Sequence, residues 1–460
     1  MQAAVAAGHP ATTTAGIEIL QEGGSAADAV VAATLASCVA ETVMTGLLGG
    51  GHGIYFDAAT GQARNLDCFV AVPGLGADPR DAELIHLDVP FGAELVHYAV
   101  GPASCAIPGV PAGLEALWRE HGRLEWARLF EPAVRLARDG VDFPPAHAAC
   151  LAMLAPVMTM NEGAGIYAPR GQLLQAGERL EQPGLVAALE AFALDASTFY
   201  RGSVAEALLD LCEERGGLVT RADLEAYEAH WSEPVDVPYL EGRLLTRGGL
   251  SGVPETVPHL PRLHGLSETE RVLALVDILA APPVGDGDTT NVSVVDGDGN
   301  ACVLTTSLGL GSGDFLRGLD LHLNSMLGEV DLVRGRLQPG ERMQSMMAPT
   351  AVTVDGELVV AAGAAGGTRL RTALLGVIAG ILDEGFDPEA AVARPRFHAG
   401  GEIVNAEPGV DEAALEALEA KGRRVRRWPE RHHYFGGVSV VSRTGAAGDP
   451  RRNGAASTIR

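Results

Sequence analysis

"GDGDTTNVSVVDGDGNACVLTTSLG" runs from Gly285 to Gly309. Two threonines, Thr289 and Thr290, follow an acidic, glycine-containing loop and lead straight into the β-rich run Asn291–Asp296. A second such run, Ala301–Leu308, follows Gly297-Asp298-Gly299-Asn300, so the spacing predicts a hairpin. A Thr-Thr pair at a strand edge is ordinarily just a pair of β-formers. Threonine becomes a competent nucleophile when its own α-amine acts as its base. A free α-amine, with a pKa of about 8, accepts protons near neutral pH. An internal threonine has no free amine, so the chain must first be cut before it. The Thr289 hydroxyl can make that cut by attacking the carbonyl of Asp288, and Asp286-Gly287-Asp288 supplies a flexible loop for the attack.

Outward from this hairpin, Ala348–Val354 and Glu357–Ala362 predict a second hairpin around Asp355-Gly356. Gly366-Gly367 then opens an apolar helix, Arg371–Glu384. An amphipathic helix is expected at Asp411–Lys421 and a last strand at Gly437–Val441. Towards the N-terminus, Ala11–Gln21 and Ser25–Glu41 read as alanine-rich helices, the second with a Ser25/Asp28 capping box. "GLLGGGHGIYF" (Gly46–Phe56) is a glycine-rich turn running into a strand; no helix follows it, so it is not a dinucleotide fingerprint. Helical patterns recur at Pro111–Arg138, Pro183–Leu194 and Ser203–Glu214, and a capped helix starts near Thr220. Arg247–Gly265, rich in Gly, Pro and His, is the expected linker. Helices, then hairpins, then helices suit stacked αββα layers better than alternating βαβ units.

Composition narrows the chemistry. The 460 residues carry 34 basic against 59 acidic side chains, a net charge of −25. That argues against nucleic acid and against anionic membrane surfaces as partners. A single lysine, Lys421, disfavours Schiff-base, pyridoxal and P-loop chemistry. Six scattered cysteines show no zinc spacing and fit free thiols. His52, His322, His398 and His432-His433 have no metal-site spacing, so neither metal nor organic cofactor is expected. "GRRVRRWPERHH" (Gly422–His433) is expected to be a solvated basic face. With no basic-then-apolar leader and no apolar stretch of roughly 20 residues, the expected location is the cytoplasm.

"GDTTNVSVVDGDGNACVLTTSLG" resembles the processing site and first hairpin of the γ-glutamyltranspeptidase family, N-terminal-nucleophile hydrolases made as one inactive chain. "AAGHPATTTAGIEILQEGGSAADAVVAA", "GLLGGGHGIYF", "GGLVTRADLEAYEA", "MMAPT", "AAGGTRLRT" and "ARPRFH" resemble further segments of the family in the same order. The resemblance implies the four-layer αββα sandwich. It also implies self-cleavage between Asp288 and Thr289 into interlocked subunits, 1–288 and 289–460, forming a heterodimer whose further assembly is left open. Thr289 falls on the nucleophile, Gly366 and Gly367 on the glycines that form the oxyanion hole, and Ser307 on a hydroxyl that steadies the nucleophile.

The substrate-reading positions depart from the family. Phe69, in Asp67-Cys68-Phe69-Val70, stands where an arginine holds the γ-glutamyl α-carboxylate. Met326 replaces a glutamine, Glu329 an aspartate, and Gly309 an asparagine. Of a serine pair, Ser345 remains and Met346 replaces the other. The expected activity is cleavage of a γ-glutamyl or related acyl bond of a small molecule. One alternative is hydrolysis of a carbon–carbon bond with oxalyl-type release, as in antibiotic and alkylproline pathways. Another is an unprocessed, non-catalytic homologue.

Overall fold

The computed structural model describes residues 1–78, 83–91, 94–280, 289–333 and 335–459. Its frame is two antiparallel sheets. The first has the strand order Ala455–Thr458, Ala4–Ala7, Thr290–Val295, Ala301–Ser307, Gly50–Asp57, Gln62–Cys68, His230–Ser232. The second runs Gly445–Gly448, Gly437–Ser442, Glu357–Ala365, Thr350–Val354, Gly242–Thr246, Val235–Tyr239. Both predicted hairpins are present, the first in the register Thr290↔Thr306 to Val295↔Ala301.

Alternation along each strand builds the layers. Val5, Ala7, Val292, Val294 and Leu304 face outward and join the core formed with the helix Ala26–Ala40. Ala4, Ala6, Val295 and Val303 face inward and meet Ala351, Ala361 and Val441 of the second sheet. On the far side, Val352, Val360, Val438 and Val440 pack against Leu374 and Ile378 of the helix Leu370–Leu382 and against Leu415 and Leu418. The order is helix, sheet, sheet, helix, as expected. Ala26–Ala40 is buried along its whole length, and its Ser25/Asp28 capping box is formed by reciprocal bonds of 3.1 and 2.9 Å. No described helix is long and apolar enough to cross a membrane.

One expectation is corrected. Arg247–Gly265 is no linker. It folds as a helical turn, Val253–Thr256, and a 3-10 turn, Val257–His259, and the segment buries Val253, Val257 and Leu263 in the outer core. The basic run is exposed or half-exposed up to His432, as expected; within it Arg424–Arg427 forms a strand paired in parallel with Ile403–Ala406, and Arg427 salt-bridges Glu412 and Glu419. The strand Ala4–Ala7 was not anticipated, yet it lies directly beside the Thr290–Val295 strand. On its other side it pairs with the last strand, where the Ile459 N–H donates to the Ala3 carbonyl (2.8 Å) and the Gln2 amide to the Ile459 carbonyl (2.9 Å).

Candidate active site

The same alternation separates the two threonines. Thr290 shares a face with Val292 and Val294, towards the helix layer. Its hydroxyl donates to Glu41 Oε2 (2.5 Å), and Thr12 donates to Glu41 Oε1 (2.7 Å). Glu41 caps the Ala26–Ala40 helix and is fully buried; burial pushes its carboxyl up to about 7 against these hydrogen bonds. Thr289 takes the opposite face with Asn291 and Ser293, which bonds the Ser439 carbonyl across the inter-sheet space (2.9 Å). Extending the Thr290↔Thr306 register by one residue sets Thr289 opposite Ser307.

Thr289 opens into a small cleft at the end of the two sheets. Ser307, Gly367, Phe69, Met326, Glu329, Ser345 and Met346 all line it, so positions spread from 69 to 367 converge on one site. Gly366 immediately precedes Gly367 at the turn into the apolar helix. Both have positive φ, +120° and +53°, and a Cβ on Gly366 would lie 2.8 Å from Gly436 Cα. Glycine is therefore required at 366 by both conformation and space. Asp288 lies outside the described residues.

The walls show how the departures work. Phe69 is buried, its ring stacked on His52 at 5.3 Å, and its carbonyl accepts from Tyr227 and Arg342 (2.6 Å each). A Cβ on Gly309 would sit 2.2 Å from Glu329 Oε1, so the glycine makes room for that carboxylate. The Ser307 hydroxyl accepts from the Gly309 N–H at 2.9 Å. Ser345 Oγ accepts from the Met347 N–H (3.2 Å), while Arg247 holds the Ser345 and Met347 carbonyls from behind (3.1 Å each). Sequence reading missed Asp331, Leu332, Met347 and Leu370, which also line the cleft. The last two were signalled only by adjacency, to Met346 and to the Gly366-Gly367 turn.

Among the described lining residues the charged ones are Glu329 and Asp331; no arginine or lysine is present. Arg369 and Arg371, which follow the glycines, are engaged elsewhere. Arg369 donates to the Tyr434 carbonyl (2.7 Å), and Arg371 to Thr256 Oγ1 (3.2 Å) and the Leu279 carbonyl (3.4 Å). Among the described residues, no group of three or more His, Cys, Asp or Glu side chains is placed to hold a metal ion. All six cysteines are buried free thiols.

Comparison with known proteins gives a consistent picture. The family model described as Gamma-glutamyltranspeptidase matches residues 12–272 and 267–459. The "Acylase ACY 1 proenzyme" of Pseudomonas sp. (strain V22) is 27% identical over 511 residues, covering 95% of this chain and 89% of that protein. The "Glutathione hydrolase proenzyme" of Escherichia coli (strain K12) is 27% identical over 505 residues, covering 92% and 86%. The crystal structure of cephalosporin acylase from Bacillus halodurans superposes with a TM-score of 0.84 at 21% identity, covering 100% of this chain and 96% of that one.

Proposed function

Because the chain belongs to the γ-glutamyltranspeptidase family and has the αββα fold of N-terminal-nucleophile hydrolases, we propose that it is a self-processing threonine acylase whose acyl group lacks the α-amino-acid head of a γ-glutamyl donor. The observation that carries this reading is the single cleft lined by Thr289, Ser307 and Gly367 together with Phe69, Met326 and Met346. Relatives named proenzymes, among them an acylase, are compatible with it.

Cleavage before Thr289 frees its α-amine and leaves subunits 1–288 and 289–460 as a heterodimer. The Thr289 hydroxyl attacks the acyl carbon of a small-molecule amide while the amine takes its proton. The oxyanion is stabilised by the N–H groups of Gly366 and Gly367. The ammonium returns the proton to the leaving amine, and water or an acceptor amine then releases the acyl group from the threonine ester. Ser307 steadies the nucleophile. Phe69, Met326 and Met346 favour an apolar or planar acyl chain, with Glu329 and Ser345 as its polar contacts. A carbon–carbon bond to a planar acyl group would be cleaved by the same nucleophile and is distinguished by its product, a carbon acid in place of an amine.

The experiment is intact-mass spectrometry before and after incubation with acyl substrates. The expected products are fragments of 288 and 172 residues (460 − 288 = 172), with a substrate-dependent acyl adduct on the smaller one. Thr289→Ala should stay uncut and inactive. Wild-type protein that turns over substrate while uncut would refute the mechanism. γ-Glutamyl-p-nitroanilide should be a poorer donor than anilides lacking the α-amino-acid head. A lost charge-assisted contact of about 1.5–3 kcal/mol corresponds to a roughly ten- to hundredfold deficit, part of which Phe69→Arg should restore. Efficient γ-glutamyl turnover by wild type, with no gain from Phe69→Arg, would restore the ordinary family substrate.

A further inference from the structure

The turn Pro450–Arg452 brings an arginine to the back of the nucleophile. Asp449 fixes this turn: its carboxylate accepts the N–H groups of Arg451 and Val438 (3.0 Å each) and pairs with Arg396 at 2.6 Å. The Arg452 side chain crosses Gly437, where a Cβ would lie 2.5 Å from Arg452 Cδ. Nη1 donates to the Thr289 carbonyl (3.2 Å) and meets Met44 Sδ at 3.4 Å. Nη2 lies 3.8 Å from the place a Cβ on Gly366 would take. With only 3% of the residue exposed, the guanidinium is wedged between Thr289 and the first of the two glycines.

We propose that Arg452 is a positioning residue for acyl transfer, clamping the Thr289 carbonyl and holding a fixed positive charge beside the α-amine that the cut exposes. This rests on Thr289 being the terminal nucleophile. The amine is three covalent bonds from the clamped oxygen, so rotation of the Thr289 backbone is restrained at the residue whose hydroxyl and amine must act together. A guanidinium remains charged throughout the working pH range. A like charge at this distance disfavours the ammonium and keeps the amine in its proton-accepting form. The titratable groups that feel Arg452 are Glu41, His147, His432 and His433, the last two also beside Arg369. Burial holds His147 down at about 3 and pushes His432 and His433 down as well, so these rings do not compete as cations near neutrality. Glu41, of opposite sign and titrating at about 7, would blur the effect, while the Glu329 and Asp331 carboxylates that line the Thr289 cleft act on the amine equally in wild type and in both Arg452 variants.

The test is the pH profile of kcat/KM on the best acyl anilide for wild type, Arg452→Gln and Arg452→Lys, each repeated in the Glu41→Gln background. In Arg452→Gln the acid limb should move up by about one pH unit, so that the ratio of kcat/KM at pH 6 to that at pH 9 falls about tenfold below the wild-type ratio. Arg452→Lys keeps the charge but loses the fork. Its acid limb should stay at the wild-type pH while kcat falls. A cut Arg452→Gln protein with an unmoved acid limb overturns the proposal. If Arg452→Gln does not fold or is not cut, Arg452→Lys decides: a limb at the wild-type pH together with a lowered kcat supports the proposal, and a displaced limb or an unchanged kcat overturns it. Failure of the nucleophile assignment shows separately, as activity in Thr289→Ala.

Discussion

Glu41 accepts hydrogen bonds from the Thr290 and Thr12 hydroxyls in a site with no solvent access, and burial raises its carboxyl from 4.5 to about 7. Between those values the native state binds more protons than the unfolded chain, so this group makes stability fall as pH rises from about 4.5 to 7. At about 1.4 kcal/mol per unit the loss is of the order of 3 kcal/mol. His9, His147 and His322 are pushed down by burial to about 4, 3 and 3, and they contribute the opposite slope. The quantity to measure is therefore the difference between wild type and Glu41→Gln in Tm at pH 5 and pH 8. The variant should lose less stability over that interval; identical slopes would refute the role given to Glu41. Gly366→Ala meets a different constraint, a φ of +120° and a backbone atom 2.8 Å from the new Cβ. If the Gly366 N–H holds the oxyanion as proposed, the variant should lower kcat by about 10²–10³ by displacing that donor, and steady-state kinetics near wild type would show that the oxyanion is held elsewhere.

At the scale of elements, local rules were legible and long-range packing was not. Ser25/Asp28 announced the start of a buried helix because capping is a contact over three residues. The Asp298-Gly299 turn announced its hairpin for the same reason. Thr289, Ser307 and Gly367 could be named as one site only through resemblance, since nothing local says that residues so far apart in sequence meet. Arg452 carried no signal at all: an arginine in a Gly- and Arg-rich tail looks solvated until the fold buries it. Ala4–Ala7 is four small residues with no β-branched run, and its partner strand begins 286 positions later (290 − 4). The Gly/Pro content of Arg247–Gly265 imitated a linker, whereas Val253 there is fully buried. Val253→Ala should therefore cost about 1–3 kcal/mol in denaturant unfolding. A change within about 0.5 kcal/mol, usual for a surface position, would return the segment to linker status.

At the scale of the whole molecule, strands from both sides of the Asp288–Thr289 bond share each sheet. The Ala301–Ser307 strand lies between Thr290–Val295 and Gly50–Asp57, and Thr350–Val354 pairs with Gly242–Thr246. A break at 288 thus leaves every ladder intact. The ladder between Ala4–Ala7 and Ala455–Thr458, closed by Ala3 and Ile459, has a further consequence. Head and tail of the fold touch, so the backbone can be treated as a ring whose opening is a matter of choice. A circular permutant that joins residue 460 to residue 1 through a short glycine linker and begins at Thr289 would carry its terminal threonine from synthesis, once the initiator methionine is trimmed. Such a protein should acylate at once and as a single chain, with no maturation lag. If it folds, exposes Thr289 and stays inert, scission does more than free an amine.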